Sequence, residues 1–200
     1  MDEGYIKFKA SWSEKALPAD PRMGELIYWR QQLYHQQLIG AYPDGIGYGN
    51  ISMRCAPGQL SFYISGSATG LVAEAQTHHF SLVTAVDIAG NTVTCEGPVL
   101  ASSESMSHAA IYATDPDIGW VMHIHHKGLW QQFLGILPTT PPEVAYGSPE
   151  MARSLRELIL QPGNKQQHLL VTAGHEEGLF AFGKTPEQAF NAIQALFTQT

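Results

Sequence analysis

The stretch Gly119-Trp-Val-Met-His-Ile-His-His126 constrains this chain more than any other part of it. Apolar residues interleave two histidines one residue apart, the pattern of a strand rather than of a helix. Side chains along a strand point alternately to its two faces. Val121, His123 and His125 therefore share one face, and Trp120, Met122 and Ile124 pack on the other. Two imidazoles on one face have two readings. They are core histidines satisfied by backbone groups, or they are a pair of metal ligands, for which neutral imidazole is the commonest side chain. The second reading needs further ligands from elsewhere in the chain. Glu104, in Ser-Ser-Glu, and His175, in Ala-Gly-His-Glu-Glu-Gly, are the candidates.

Around this strand the punctuation marks a mixed α/β order. Apolar spacing predicts a helix over 24–38, ended by Gly40 and Pro43. A glycine-rich loop, 44–49, leads to a strand over 51–54, and a second strand follows over 61–64. Ser65-Gly-Ser-Ala-Thr-Gly70 is a small-residue loop whose backbone can approach a ligand closely. Strands over about 81–87 and 92–95 flank the turn Asp87-Ile-Ala-Gly-Asn91. Ser102 or Ser103 is a natural N-cap for a helix to about Ala113, which Asp115-Pro116 stops. Ser148-Pro149-Glu150 and Thr185-Pro186-Glu187 each combine a cap, a proline at the first helical position and an acid in the first turn. In the last helix Ala189, Phe190, Ile193 and Phe197 are expected to face inward. Between those helices, 169–173 and 179–182 form a hairpin whose turn is Gly174–Gly178. Short strands joined by tight turns and alternating with helices predict a mixed, mainly antiparallel sheet covered by helices.

Length and charge narrow the function classes. Two hundred residues fit one domain with a real core. The expected division is an irregular N-terminal arm over 1–20, closed by Pro18 and Pro21, and a single domain over 21–200. A net charge of −7 lacks the clustered Lys and Arg of a nucleic-acid footprint. Only Cys55 and Cys95 occur, too few for a disulfide framework, so a reducing cytoplasm is the expected compartment. Neither a signal peptide nor a membrane span is expected. His108 lies one helical turn after Glu104 and is read as a packing or hydrogen-bonding residue. His126 is read as structural, His78 and His79 as surface residues, and Arg54 as part of an ion pair.

Five stretches, in order, resemble the class II aldolase/adducin family. They are Gly47-Tyr-Gly-Asn-Ile-Ser-Met-Arg54, Ile64-Ser-Gly-Ser-Ala-Thr-Gly70, Ala101-Ser-Ser-Glu-Ser-Met-Ser-His108, Val121-Met-His-Ile-His125 and the Gly174-His175 turn. The resemblance covers residues from about 24 to 198. It implies a three-layer α/β/α sandwich that assembles as a homotetramer, with sites near subunit interfaces. It implies a divalent metal, zinc or another transition ion, held by His123, His125 and His175. Glu104 falls on the acidic residue that moves the proton in retro-aldol cleavage through a metal-bound enediolate. Asn50, Thr69, Gly70, Ser102 and Ser103 match the family's anion-binding elements. The implied substrate is a small hydroxy-carbonyl or sugar-phosphate-like molecule, with epimerase or dehydratase chemistry as the alternative. A further alternative is a non-catalytic interaction module like the adducin branch. The chain departs from the sugar-phosphate aldolases in four places. Gly47 stands where they carry a threonine. The segment between Leu137 and Tyr146 is shorter, and Tyr146 is the nearest candidate for their proton-donating tyrosine. Glu-Glu-Gly follows the third histidine, and the chain stops soon after the last helix. These departures leave the phosphate and the aldol reaction open and the ligand set intact.

Overall fold

Strands and helices follow one another in the order the punctuation predicts, with five additions. The structure is a computed structural model that describes residues 5–164 and 166–199. Its first half contains β1 (Lys9–Glu14), α1 (Met23–His35), β2 (Gly40–Ala41), β3 (Gly47–Tyr48), β4 (Asn50–Arg54), β5 (Phe62–Ser65), β6 (Phe80–Asp87) and β7 (Thr92–Gly97). The second half contains α2 (Ser105–Tyr112), β8 (Trp120–His125), α3 (Lys127–Phe133), β9 (Thr139–Thr140), α4 (Pro149–Leu160), β10 (Leu169–Thr172), β11 (Gly178–Gly183) and α5 (Pro186–Phe197). A single 3-10 turn, Thr77–His79, precedes β6.

Nine strands form one sheet in the order β1-β7-β6-β5-β4-β8-β11-β10-β9, and β2 and β3 pair as a separate ribbon. Pairing is antiparallel throughout the large sheet except at its edges, where β1 runs parallel to β7 and β9 parallel to β10. Two cores result. On one face Met23, Leu26 and Leu33 of α1, Leu129 and Phe133 of α3, and Ala189, Ile193 and Leu196 of α5 meet Trp120, Met122 and Ile124 of β8. On the other face Met106, Ala110 and Ile111 of α2 and Met151, Leu155 and Ile159 of α4 meet Val121, Phe180 and Phe182. The molecule is thus an α/β/α sandwich, and the alternation along β8 divides between its two cores as the sequence implies.

Caps hold where the sequence places them. Ser148 Oγ accepts from the Met151 amide at 3.1 Å, and Thr185 Oγ1 from the Gln188 amide at 3.3 Å. The start of α2 differs. The expected cap at Ser102 or Ser103 is displaced, and Glu104 takes the cap position. Ser102 is engaged by the turn: its carbonyl accepts from Ser105 Oγ at 2.6 Å and its hydroxyl from the Glu104 amide at 3.3 Å. Glu104 therefore stands at the mouth of the helix rather than in its first turn. In α5 Leu196 takes a fully buried place, and Phe190 and Phe197 are only partly buried.

Two further expectations are corrected, and one helix is new. The arm is not irregular over its whole length, because Lys9–Glu14 adds an edge strand to β7 with all six residues exposed. Ala10 and Trp12 alternate with Lys9, Ser11 and Ser13 along it, continuing Ile6 and Phe8, a period-two signal at odds with an irregular arm. The residues after β8 form a helix, α3, that the sequence punctuation does not announce; His126 caps it, its ring accepting from the Leu129 amide at 3.1 Å. Arg54 makes no ion pair among the described residues. Its guanidinium donates to the carbonyls of Tyr112, Asp115 and Pro116, where a cation complements a helix C-terminus.

His108 is fully buried between Phe62 and Phe180, and Ser52 Oγ bridges its Nδ1 at 2.7 Å to the Tyr112 hydroxyl at 2.8 Å. Desolvation pushes its pKa down to about 3. The folded chain thus keeps the ring neutral while the unfolded chain protonates it below about 6.5. Stability from this group is intact above that value and is lost as pH falls from there towards 3, at most about 1.4 kcal/mol per pH unit. His108→Asn keeps an acceptor near the Nδ1 position and removes the titration. Denaturant unfolding of the metal-free protein between pH 7 and 4 should show a shallower acid decline for this variant.

Candidate functional site

Local geometry on β8 brings the two histidines into one place. His123 lies opposite Asn50 on β4 and opposite Phe180 on β11, and His125 opposite Gly178. The third histidine comes from the β10–β11 turn. Thr172 Oγ1 donates to the carbonyls of His175 at 3.0 Å and Gly178 at 2.8 Å, closing the turn on itself. The Glu177 carbonyl accepts from the His126 amide at 2.9 Å, fastening the turn to the end of β8. Ligand-capable atoms of His123, His125 and His175 lie within 4.8 Å of one another, and the group could hold a metal ion.

The hydrogen bonds set the tautomers. Leu179 O can only accept, so His123 Nδ1, 3.1 Å away, carries the proton. The Tyr42 hydroxyl donates to Glu177 Oε2 at 2.9 Å, so its oxygen accepts from His125 Nδ1 at 3.1 Å. Burial, reinforced by the neighbouring histidines, holds both imidazoles well below their ordinary pKa and hence neutral. The two Nε2 lone pairs then face each other at 3.1 Å inside the protein. Alone, that arrangement is repulsive. A cation accepting both removes the repulsion, and two nitrogens on one tetrahedral zinc are separated by roughly 3.3 Å. Donation of the second ring nitrogen to a carbonyl or to a carboxylate-backed group is also how metal-bound histidines are oriented. The residues present fit a divalent transition metal.

Glu104 is buried at the edge of this cluster. Its Oε2 accepts from Ser107 Oγ at 2.6 Å, and its Oε1 lies 3.8 Å from His175 Nδ1. Oε1 makes no hydrogen bond among the described residues, and neither does Asn50 Oδ1. Unsatisfied buried oxygens are costly unless something else completes them.

These groups open into one pocket of about 230 Å³. Its lining includes the residues that the family resemblance assigns to the site: Asn50, Thr69, Gly70, Ser102, Ser103, Glu104, His123, His125 and His175. Two glycine loops make its wall. A Cβ on Gly70 would lie 2.0 Å from Gly40 O and 2.8 Å from the Gly47 Cα, so only hydrogen lets the loops close on each other. Ser102 and Thr69 spend their hydroxyls locally, Thr69 donating to Gly66 O at 2.7 Å. Ser67, Ala68, Tyr5 and Tyr146 also line the pocket. Tyr146 stacks on His175, takes the Tyr5 amide on its hydroxyl at 3.2 Å, and carries the Lys7 ammonium 3.7 Å above its ring.

Two contributors left no legible signal. Arg30 of α1 is 1 % exposed and donates to the carbonyls of Thr69, Gly70 and Val72, pinning the second glycine loop. Tyr42 reaches His125 and Glu177 across 83 and 135 residues of sequence. An arginine at a helical core position and a tyrosine in a loop are common in sequences without such partners.

Gly178 tests the geometry. A Cβ there would lie 2.6 Å from Thr172 Oγ1 and 3.1 Å from His123 Cε1. Gly178→Ala should displace the threonine that holds the histidine turn, costing about 1–3 kcal/mol of stability as overpacking does. Thermal unfolding of the metal-free variant checks this, and an unchanged midpoint would count against the description of the turn.

A family model described as the class II aldolase and adducin N-terminal domain matches residues 25–198. The chain belongs to that family. Among solved structures, an L-fuculose 1-phosphate aldolase is similar at 22% identity with a TM-score of 0.67, covering 90% of this chain and 84% of that one. L-fuculose-1-phosphate aldolase from Thermus thermophilus is similar at 21% identity and a TM-score of 0.59, covering 88% and 87%. YgbL from Klebsiella pneumoniae, named for three candidate reactions (aldolase, epimerase and decarboxylase), is similar at 20% identity and a TM-score of 0.63, covering 87% and 84%. At these identities the likeness is one of fold. No curated protein matches the chain at a significant level. No helix among the described residues is long and apolar enough to cross a membrane.

Proposed function

We propose that this protein is a metal-dependent lyase of the class II aldolase type. Its substrate would be a small hydroxy-carbonyl or sugar-phosphate-like molecule. The observation that supports this reading best is the pair of buried Nε2 lone pairs converging at 3.1 Å beside a carboxylate oxygen that makes no hydrogen bond among the described residues. His123, His125 and His175 would hold zinc or another divalent transition metal. When bound, such an ion supplies Lewis acidity to a substrate carbonyl.

The chain's own residues do the rest. Ser107 holds Glu104 Oε2 and leaves Oε1 to exchange a proton with the substrate carbon next to the carbonyl. A base works at hydrogen-bond reach of the proton it takes, and the pocket wall sets that approach. Asn50 and the amides of the Thr69–Gly70 loop and of Ser102–Ser103 would receive the substrate's hydroxyl or anionic end. The same proton exchange at Oε1 also serves an epimerase. An interaction module of the adducin kind has no use for it. We take the working form to be a cytoplasmic homotetramer, which light scattering on the purified protein checks.

The test is metal content followed by a substrate screen. Purified protein should carry about one divalent ion per chain, and phosphorylated and unphosphorylated hydroxy-carbonyl compounds should reveal metal-dependent carbon–carbon cleavage. A chain that takes up no divalent ion rejects this function. One that binds metal and inverts a stereocentre without cleavage assigns the epimerase reaction instead.

A further inference from the structure

We propose that Tyr42 and Glu177 are a positioning pair that fixes His125 in its ligating tautomer and strengthens it as a metal ligand. The proposal rests on the metal reading above and adds residues to it. Tyr42 sits just beyond β2 in a loop tied to itself, its amide donating to Ile46 O and its carbonyl accepting from the Gly45 amide, both at 2.9 Å. Its ring packs on Tyr48 at 4.7 Å between centroids, and Tyr48 in turn lies 5.6 Å from the His125 ring. The phenol is therefore held before it meets the histidine. Its oxygen then bridges His125 Nδ1 at 3.1 Å and Glu177 Oε2 at 2.9 Å.

Glu177 is held as firmly. It adopts a φ of 68°, a conformation that a side chain other than glycine, asparagine or aspartate takes only when its surroundings impose it. Here the imposition is visible: its carbonyl accepts from His126 while its carboxylate accepts from Tyr42. It belongs to the Glu-Glu pair that separates His175 from the glycine of the turn. Glu176 is exposed, so the two acids are not equivalent.

Glu177 does not belong to the ligand group and does not line the pocket, so its charge reaches the site through the phenol. A carboxylate accepting from Tyr42 leaves the phenol oxygen richer in electron density. That oxygen in turn pulls on the His125 Nδ1 proton, which raises the basicity of Nε2. Outer-shell partners of this kind typically contribute about 10–100-fold to metal affinity.

The experiment measures zinc dissociation constants by competition with a chromophoric chelator, together with the melting temperature of each metal-free protein. The set is wild type, Tyr42→Phe, Glu177→Ala and the double variant. Phenylalanine keeps the ring packing and removes only the bridge. Tyr42→Phe should bind zinc about 10–100-fold more weakly, with the metal-free melting temperature close to wild type. Glu177→Ala should weaken binding in the same direction, and the double variant should be no weaker than Tyr42→Phe, because the carboxylate acts through the phenol. If Tyr42→Phe binds zinc as wild type does, the pair has no positioning role. Weakening by Glu177→Ala that adds in full to that of Tyr42→Phe makes the glutamate an independent contributor and overturns the relay. A wild type that binds no zinc rejects the metal reading itself, and the pair with it, before any variant is compared.

Discussion

His123→Ala is expected to abolish stoichiometric metal uptake, and catalysis with it, while the sheet remains folded. The side chain projects from β8, a strand flanked by β4 and β11 and buried along its whole length. Its backbone pairing does not depend on the ring. Truncation leaves a small cavity beside Phe180, whose ring stacks on it at 4.3 Å, and removes the group that faces His125 Nε2. Large-to-small changes in a core cost a few kcal/mol, about 2–5 for the apolar series. Two apolar cores support the domain independently of any ion. Circular dichroism should therefore be nearly unchanged, in the variant and in chelator-treated wild type alike. Loss of a direct ligand should exceed the roughly 10–100-fold that outer-shell partners cost. Elemental analysis of wild type and variant, purified side by side, reads the result. Equal metal content would remove His123 from the ligand set, and unfolding on chelation would mark the ion as structural.

Glu104→Gln should lower kcat by about 10²–10⁴-fold, the usual contribution of a general acid–base group, with metal content retained. Glutamine preserves the shape and can still accept from Ser107, whose hydroxyl lies 2.6 Å from Oε2. What it loses is the ability to take up a proton at Oε1, which makes no hydrogen bond among the described residues. Because Oε1 lies 3.8 Å from His175 Nδ1, the same variant also asks whether the carboxylate belongs to the metal. The comparison must be made at equal metal loading. Near-normal turnover would transfer the proton role to another pocket residue, with Tyr146 the nearest candidate. An emptied site would make Glu104 chiefly a ligand.

The order of elements, the assignment of faces on β8 and the position of two helix starts could be read directly from the chain. Each of these is a local property. Period-two alternation sorts Val121 and His123 from Trp120 and Met122, and Ser148-Pro149 and Thr185-Pro186 carry their caps with them. Ser102, by contrast, offers a cap that its own turn consumes, so α2 starts at Glu104's expense. The candidate site was legible because its motifs occur in family order, and the structure gathers the residues they carry around one pocket.

Tertiary structure alone decided the rest. The partner of β1 is one such feature: Ile6, Phe8, Ala10 and Trp12 alternate with polar residues, but nothing local says that the strand pairs in parallel with one some eighty residues away. Arg30 looks like a misplaced charge on a core face until the carbonyls of Thr69, Gly70 and Val72 come to meet it. Tyr42 acquires its place only when β8 and the histidine turn bring His125 and Glu177 within reach of one hydroxyl. Hydrophobic period and caps depend on neighbours a few residues apart, and a sequence displays those. Hydrogen bonds between residues 83 or 135 positions apart depend on chain closure, which no local pattern encodes.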